Sequence, residues 1–538
     1  MPAKVGAKKE RGKEVKNIMA KKNGLGLLAV MLAGMVVLAL TLSGCGSQSS
    51  KEGKTFVYGT TGYGVEMDDA GLNPHENYSG WSAVRYGVGE TLFKFSDEMK
   101  PEPWLATSYE FIDDTHCKIT LRDDVDFTSG RHMSATAVKE CLDDLIAVHD
   151  RAPSDTKITS IEANDEDNTI TITTSEPTPA LINYLCDPYG AIIDMQAGIT
   201  SDKNVSGTGP YKATAVSDTE ITLEKNENYW DGEPKMDTVV VRSITDGDTL
   251  TSALQSGEID ASYGLPYASY ELFGDKNNYT INDCSTSRAF FGQVNYESSV
   301  MQDEAVRKAL AMGIDKQGFI STLLNGRGAA AVGAFPSNFA FGNETVSTVS
   351  YDPEAAKQLL EADGWVDSDG DGIREKAGQK LTVRWLTYPG RMELPLLAES
   401  AQATLAEIGF DVQVNSTANH TDIRKDTNAW DVYVSALVTA PTGDPEYFFT
   451  ATCLEASAKN FGHYKNAKLE ELAAQLRVEF DTEKRAELAT NMQQVILDDY
   501  GYFFASHLTM GIVSKAEVSG IAPHPCDYYE ITADLDKA

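Results

Sequence analysis

Residues 381–414 constrain the fold more tightly than any other stretch, because they spell out one complete strand–helix–strand unit. Positions 381–387 read Leu-Thr-Val-Arg-Trp-Leu-Thr, a short apolar-rich run of strand type. Positions 393–408 set Leu394, Leu397, Ala401, Leu405 and Ile408 on one helical face, and Gly409 follows where a left-handed residue ends a helix. Phe410-Asp411-Val412-Gln413-Val414 then alternates as a second strand. A crossover of this kind joins parallel strands with a right-handed turn, so the fold class is α/β. Ligands of such sheets gather at the carboxyl ends of the strands. That places Tyr388, Gly390 and Arg391 on a binding rim.

Other segments agree with a mixed fold. Residues 118–121 and 169–173 alternate with period two, as half-buried strands do. Ser134 is placed to cap a helix carrying Ala137, Val138, Cys141, Leu142 and Leu145 on one face. Asp352-Pro353 opens another helix, with proline at its favoured first position, and Gly364 stops it.

The amino-terminal region reads as an address. Lys21 and Lys22 precede an apolar run at 25–42, which ends in Leu42-Ser43-Gly44-Cys45. A basic region, an apolar region and a small-residue cleavage site make a secretory signal, and the cysteine fits a lipobox whose sulfur carries diacylglycerol. Residues 1–44 are therefore expected to be removed, with Met19 a better start for that leader than Met1. Residues 45–54 form a lipid-anchored linker and Cys45 is the lipidation site. The competing reading is a transmembrane anchor, since about 18 apolar residues almost span a bilayer.

The chain of 538 residues carries a net charge of −34. A surface so acidic repels nucleic acid and anionic headgroups, which argues against a nucleic-acid partner. Beyond Cys45, six cysteines form no C-x-x-C pair. An exported location permits disulfides, and buried free thiols are the other reading.

A series of motifs then makes the chain familiar. In order come Pro103-Trp104-Leu105-Ala106, Leu121-Arg122-Asp123-Asp124-Val125-Asp126-Phe127, Gly207-Thr208-Gly209-Pro210-Tyr211 and Asn226-Glu227-Asn228-Tyr229-Trp230. Leu254-Gln255-Ser256-Gly257-Glu258-Ile259-Asp260, Val306-Arg307-Lys308-Ala309-Leu310, Tyr351-Asp352-Pro353-Glu354-Ala355-Ala356, Asp444-Pro445 and Asn460-Phe461 follow. In this order the chain resembles the family 5 solute-binding proteins of ABC importers, the peptide/nickel-binding group. The resemblance implies a two-lobed periplasmic-binding-protein-like α/β fold (class II, cluster C). It implies a first lobe over 55–290, with an extra subdomain near 81–200, a second lobe over 291–510 and a return to the first over 511–538. Crossovers are expected near 290–295 and 509–513. The function implied is capture of a small solute in the interlobe cleft and its delivery to an ABC permease. The receptor is expected to be a monomer held to the outer face of the cell membrane by its lipid, with no cofactor and no catalysis.

The motifs identify the fold more than the ligand. Peptide-binding members carry an aspartate three residues before Asp-Pro, which grips the peptide amino group; here that position is Pro441, with Asp444 and Glu446 nearby. Nickel-binding members suggest Leu72-Asn73-Pro74-His75, yet their later metal-ligating histidine is replaced by Ser457-Ala458-Lys459, with His463 beyond. Their chelate-gripping arginine has no match near Pro188-Tyr189-Gly190. Peptide and metal chelate therefore both stand as ligand classes. Arg391, between a strand end and a helix start, is the leading candidate for a carboxylate contact. Tyr388, Trp81, Arg85, Tyr63 and Arg288 are further ligand candidates, with packing or a surface ion pair as the alternative for each. His75 is a candidate metal ligand, because neutral imidazole is a common donor. Asp367-Ser368-Asp369-Gly370-Asp371-Gly372 resembles half of a calcium loop, but Gly378 stands where the closing glutamate belongs. A secreted lipoprotein hydrolase is the alternative function, although no G-x-S-x-G, H-E-x-x-H or P-loop pattern occurs.

Overall fold

A computed structural model describes residues 53–61, 71–201 and 203–538. The leader, Cys45 and Tyr63 lie outside the described residues. Among the described residues, no helix is long and apolar enough to cross a membrane.

One mixed sheet organises the chain. Across it run Asp411–Ser416, Thr382–Thr387, Val432–Val438, Tyr279–Val294, Tyr502–Lys515, Ala261–Tyr263, Thr55–Thr60, Thr238–Ser243, Glu220–Lys225 and Tyr211–Val216. The short strand Ala329–Ala330 pairs beside Tyr502–Lys515. The first three strands are mutually parallel, as are Ala261–Tyr263, Thr55–Thr60 and Thr238–Ser243. The antiparallel pair Tyr279–Val294 and Tyr502–Lys515 joins the two groups, and the segments 290–294 and 509–513 lie on its two strands. Its ladder breaks in register between Ser285 and Ala289, which face Thr509 and His507.

The strand–helix–strand unit forms as its sequence dictates. Thr382–Thr387 pairs in parallel with Asp411–Ser416, and Glu393–Ala406 packs against them through Leu394, Leu397, Ala401 and Leu405. Gly409 has φ of +97°, the left-handed geometry that a side chain would resist. Trp385, Leu397 and Phe503 anchor the apolar cluster on this side. A larger cluster and two small ones make up the remaining core.

A separate antiparallel sheet orders Ala106–Asp113, His116–Leu121, Thr169–Thr174 and Ile158–Asn164. Ile170 and Ile172 of the third strand are fully buried, as its alternation requires. The helix Ala135–Val148 covers this sheet; Ser134 accepts a hydrogen bond from the N–H of Ala137, and the five residues expected inside are buried. Proline starts the helix Pro353–Ala362, whose Asp352 cap accepts from Ala355 N–H. The six cysteines among the described residues are free thiols, four of them buried.

Two family motifs meet at one buried carboxyl. Glu90 is 0 % exposed and accepts from the Thr208 hydroxyl at 2.8 Å, the Tyr229 hydroxyl at 2.6 Å and the Trp230 indole at 2.9 Å. Burial pushes Glu90 up to about 7, with the three donors opposing it. Gly207 and Gly209 lie against backbone: a Cβ there would sit 2.1 Å from Val88 O and 2.3 Å from Gly87 O. These motifs therefore lock the segment 87–90, which follows Ser79–Arg85, to the sheet edge. Glu90→Ala would leave the buried Thr208 hydroxyl without its acceptor, at about 1–3 kcal/mol, and would also remove the acceptor of the part-buried Tyr229 and Trp230 donors. Urea unfolding should show a loss of at least about 1 kcal/mol; a midpoint within error of wild type would refute this role for Glu90.

Candidate functional site

The register break opens a cavity of about 320 Å³ at the middle of the molecule. Thr286, Ser287 and Arg288 line it from one long strand, and Leu508 and Met510 from the other. A bulge of this kind bends a strand and re-aims its side chains. Thr61, Thr245 and Tyr263 line the cavity just beyond or at the carboxyl ends of Thr55–Thr60, Thr238–Ser243 and Ala261–Tyr263. Arg391 enters from the loop that follows Thr382–Thr387. Ala440 and Pro441 follow Val432–Val438. The cavity thus sits where parallel sheets present their ligands.

The short helix Ser79–Arg85 supplies Trp81 and Arg85, four residues apart on one face. The guanidinium carbon of Arg85 lies 5.8 Å from the Trp81 ring. The wall opposite is the tail at 525–528. Arg85 Nε donates to the backbone oxygen of Asp527 at 2.9 Å, and its Nη2 pairs with the Asp527 carboxylate. Its Nε also stands 3.8 Å from Glu530, which accepts from the Tyr58 hydroxyl at 2.8 Å. Trp81 Nε1 donates to the Tyr528 hydroxyl at 3.1 Å. Asp527 and Tyr529 both have positive φ, at 68° and 59°. Contacts from the first part of the chain hold this strained tail in place.

The electrostatics run against the acidity of the whole chain. Among the described residues, three arginines and one carboxylate line the cavity. Burial raises the Asp527 carboxyl, opposed first by Arg85 and then by Arg288. Burial likewise raises Glu530 to about 7 against the pull of Arg85. The Arg288 guanidinium is pushed down by burial and then by Arg391. The net excess of positive charge suits an anion, and arginine suits a carboxylate in particular.

Four residues picked from sequence, Trp81, Arg85, Arg288 and Arg391, share this cavity. Tyr388 stands apart from it: its ring stacks on His420 with centroids 4.2 Å apart, and its hydroxyl accepts from Ala436 N–H at 3.3 Å. His75 is buried elsewhere, with Nδ1 2.7 Å from Asp144 and Nε2 3.5 Å from the Cys141 sulfur. Both of its ring nitrogens are thereby engaged. His463 is exposed. Asp444 pairs through both oxygens with the buried Arg485, and Glu446 lies 3.6 Å from that guanidinium, so neither replaces the carboxylate missing at Pro441. In the acidic loop, Asp367 accepts from the N–H groups of Gly370 and Gly372 and Lys380 pairs with Asp371, while carboxylate oxygens of Asp367, Asp369 and Glu375 lie within 4.8 Å of one another. Asp527, Tyr528, Met510 and Tyr263 were not singled out from sequence. The one signal for the tail was its cluster Pro525-Cys526-Asp527-Tyr528-Tyr529-Glu530, polar and aromatic beyond the last long strand.

The chain is similar to the nickel-binding protein NikA of Staphylococcus aureus, with 27 % identity over 501 residues, 93 % of this chain and 97 % of that protein. It is also similar to the oligopeptide-binding protein AppA of Bacillus subtilis, with 26 % identity over 348 residues, 63 % and 64 % of the two chains. Among solved structures, a nickel ABC transporter protein from Bacillus halodurans superposes with a TM-score of 0.79 at 28 % identity, covering 90 % of this chain and all of that one. The sequence profile of the bacterial extracellular solute-binding proteins, family 5, matches residues 100–460. With the cleft architecture and more than half its length in agreement, the chain belongs to the bacterial extracellular solute-binding proteins of family 5.

Proposed function

We propose that this protein is a lipid-anchored receptor on the outer face of the cell membrane that captures a small carboxylate-bearing solute and hands it unchanged to an ABC permease. The observation that carries this reading is the arginine-lined cavity at the junction of the two long strands. Residues 55–290 with 511–538 form one lobe in this reading and 291–510 the other, and closure about the long strands traps the solute. The protein is a binding protein rather than an enzyme, as its family is, and the hydrolase alternative has no support.

Of the two ligand classes, a metal chelate, with nickel the first metal to test, is favoured over a peptide. Pro441 offers no charge to a peptide ammonium, and Asp444 and Glu446 are committed to Arg485. Among the described residues, the one carboxylate on the cavity wall, Asp527, is paired with Arg85. A volume of about 320 Å³ stands at the low end of the ~300–1,000 Å³ typical of small-molecule sites, which suits a compact solute. The nickel-binding relatives also match over nearly their whole length.

Native mass spectrometry with metal analysis, on protein purified from its own host, should find a metal chelate in near-stoichiometric amount. A ladder of co-purified peptides would overturn the choice. Arg391→Ala should weaken a nickel–histidine chelate by roughly 10- to 100-fold in calorimetry, the value of a charge-assisted hydrogen bond. Unchanged affinity would remove Arg391 from the site. Cys45→Ala should release the protein from the membrane and slow uptake while leaving affinity intact, because the lipid supplies local concentration alone. A variant still in the membrane fraction would refute the anchor.

A further inference from the structure

The three arginines of the cavity are not equivalent. Arg85 is tied to Asp527 and approaches Glu530. Arg288 and Arg391 line the same cavity, and neither forms an ion pair with any described residue. Asp527, the carboxylate whose field reaches both, is already engaged by Arg85. Arg288 projects from a long strand at the register break, whereas Arg391 stands on the loop ahead of Glu393–Ala406. They come from separate parts of the fold and meet at the cavity.

Contacts that bridge the two proposed lobes flank this pair. The Tyr267 hydroxyl donates to Glu393 at 2.6 Å, two residues from Arg391. Asn183 Nδ2 donates to the backbone oxygen of Thr442 at 2.8 Å, one residue from Pro441. Bringing the lobes into these contacts therefore also brings Arg391 into the cavity that Arg288 lines.

We propose that Arg288 and Arg391 form a charge gate, which favours closure on a solute carrying at least two negative charges, such as a polycarboxylate or its metal chelate, over closure on a neutral one. This deepens the receptor reading and rests on it. Two like charges repel weakly across an open, hydrated cleft and strongly inside a closed cavity of low dielectric. Arginine does not shed its proton in a protein, so the repulsion is relieved by a counter-charge alone. A monoanion compensates one guanidinium. A dianion can engage both, each through a forked pair of hydrogen bonds. The solute then shifts the open–closed equilibrium through its differential affinity for the closed state.

The test measures the distance between dyes placed through non-native amino acids at the exposed positions Asp248 and Glu399, in the detergent-solubilised full chain. Without solute, wild type should be mostly open. Arg288→Gln and Arg391→Gln should each raise the closed-to-open ratio about tenfold or more, since either removes one of the two repelling charges. Ligand-free variants as open as wild type, or a ligand-free wild type already closed, would overturn the gate. Two variants guard against one failing to fold, and circular dichroism checks each. In a second arm, nickel–EDTA, a dianion, should close wild type at lower concentration than the neutral nickel bis-histidine chelate, and Arg288→Gln should lose that preference. A preference retained in Arg288→Gln overturns the gate. If neither chelate closes wild type, the chelate reading fails, while the ligand-free arm still decides the gate.

Discussion

The pairing of Tyr279–Val294 with Tyr502–Lys515, and its interruption between Ser285 and Ala289, is the constraint on which the rest of the structure depends. A continuous ladder would leave no room at the centre of the sheet, and two unconnected ladders would leave nothing to join its halves. The break does both jobs because the backbone groups it frees find other partners. The Thr286 hydroxyl donates to the Leu508 oxygen at 3.1 Å, and the Ser287 oxygen accepts from both N–H and hydroxyl of Thr439, at 2.8 and 2.9 Å. Unpaired backbone in this interior would cost as much as lost hydrogen bonds. These substitutions let the strands bend while staying bonded.

The tail closes the cavity from the other side through charge. Arg85 forms a cluster with Asp527 and Glu530, which lie more than 440 residues from it in sequence, by the 442-residue separation of Arg85 and Asp527. Removing one partner from such a cluster costs about 3–5 kcal/mol, because the charge left behind has no water. The same cluster holds Asp527 and Tyr529 at positive φ. Stability and cavity shape are therefore carried by the same side chains. Arg485 with Asp444 and Glu446 is a second buried cluster, and it turns two carboxylates away from the cavity that a peptide amino group would need.

Local periodicity was legible where one face of an element is apolar. The unit at 381–414, the helix capped by Ser134 and the strands at 118–121 and 169–173 all follow patterns spaced a few residues apart. Arg391 was legible for the same reason, since a loop between strand and helix in a parallel sheet has one predictable position. Long-range ionic and hydrogen-bonded pairing carries no such pattern. Nothing around Glu90 announces that Thr208, Tyr229 and Trp230 converge on it. Asp527 joined the site through a tail whose path depends on contacts with Arg85 and Trp81. His75 stayed open between metal ligand and hydrogen-bonding residue, because a lone histidine near a turn reads the same way whether its ring faces solvent, metal or a neighbouring Asp144 and Cys141.

The sign of the cavity opposes the sign of the chain, and that opposition shapes selection. At a net charge of −34 the protein repels an anionic solute at long range, yet screening confines that repulsion to about 8 Å of the surface in physiological salt. Within the cleft the arginines dominate, since nearby charges in a less polar medium interact far more strongly than distant ones in water. Weakly held anions therefore gain little from the surface and are not concentrated there. Only a solute that reaches the arginines and offers charge to them gains the interaction that closed lobes make strong. Under the proposed gate, discrimination comes from closure rather than from encounter.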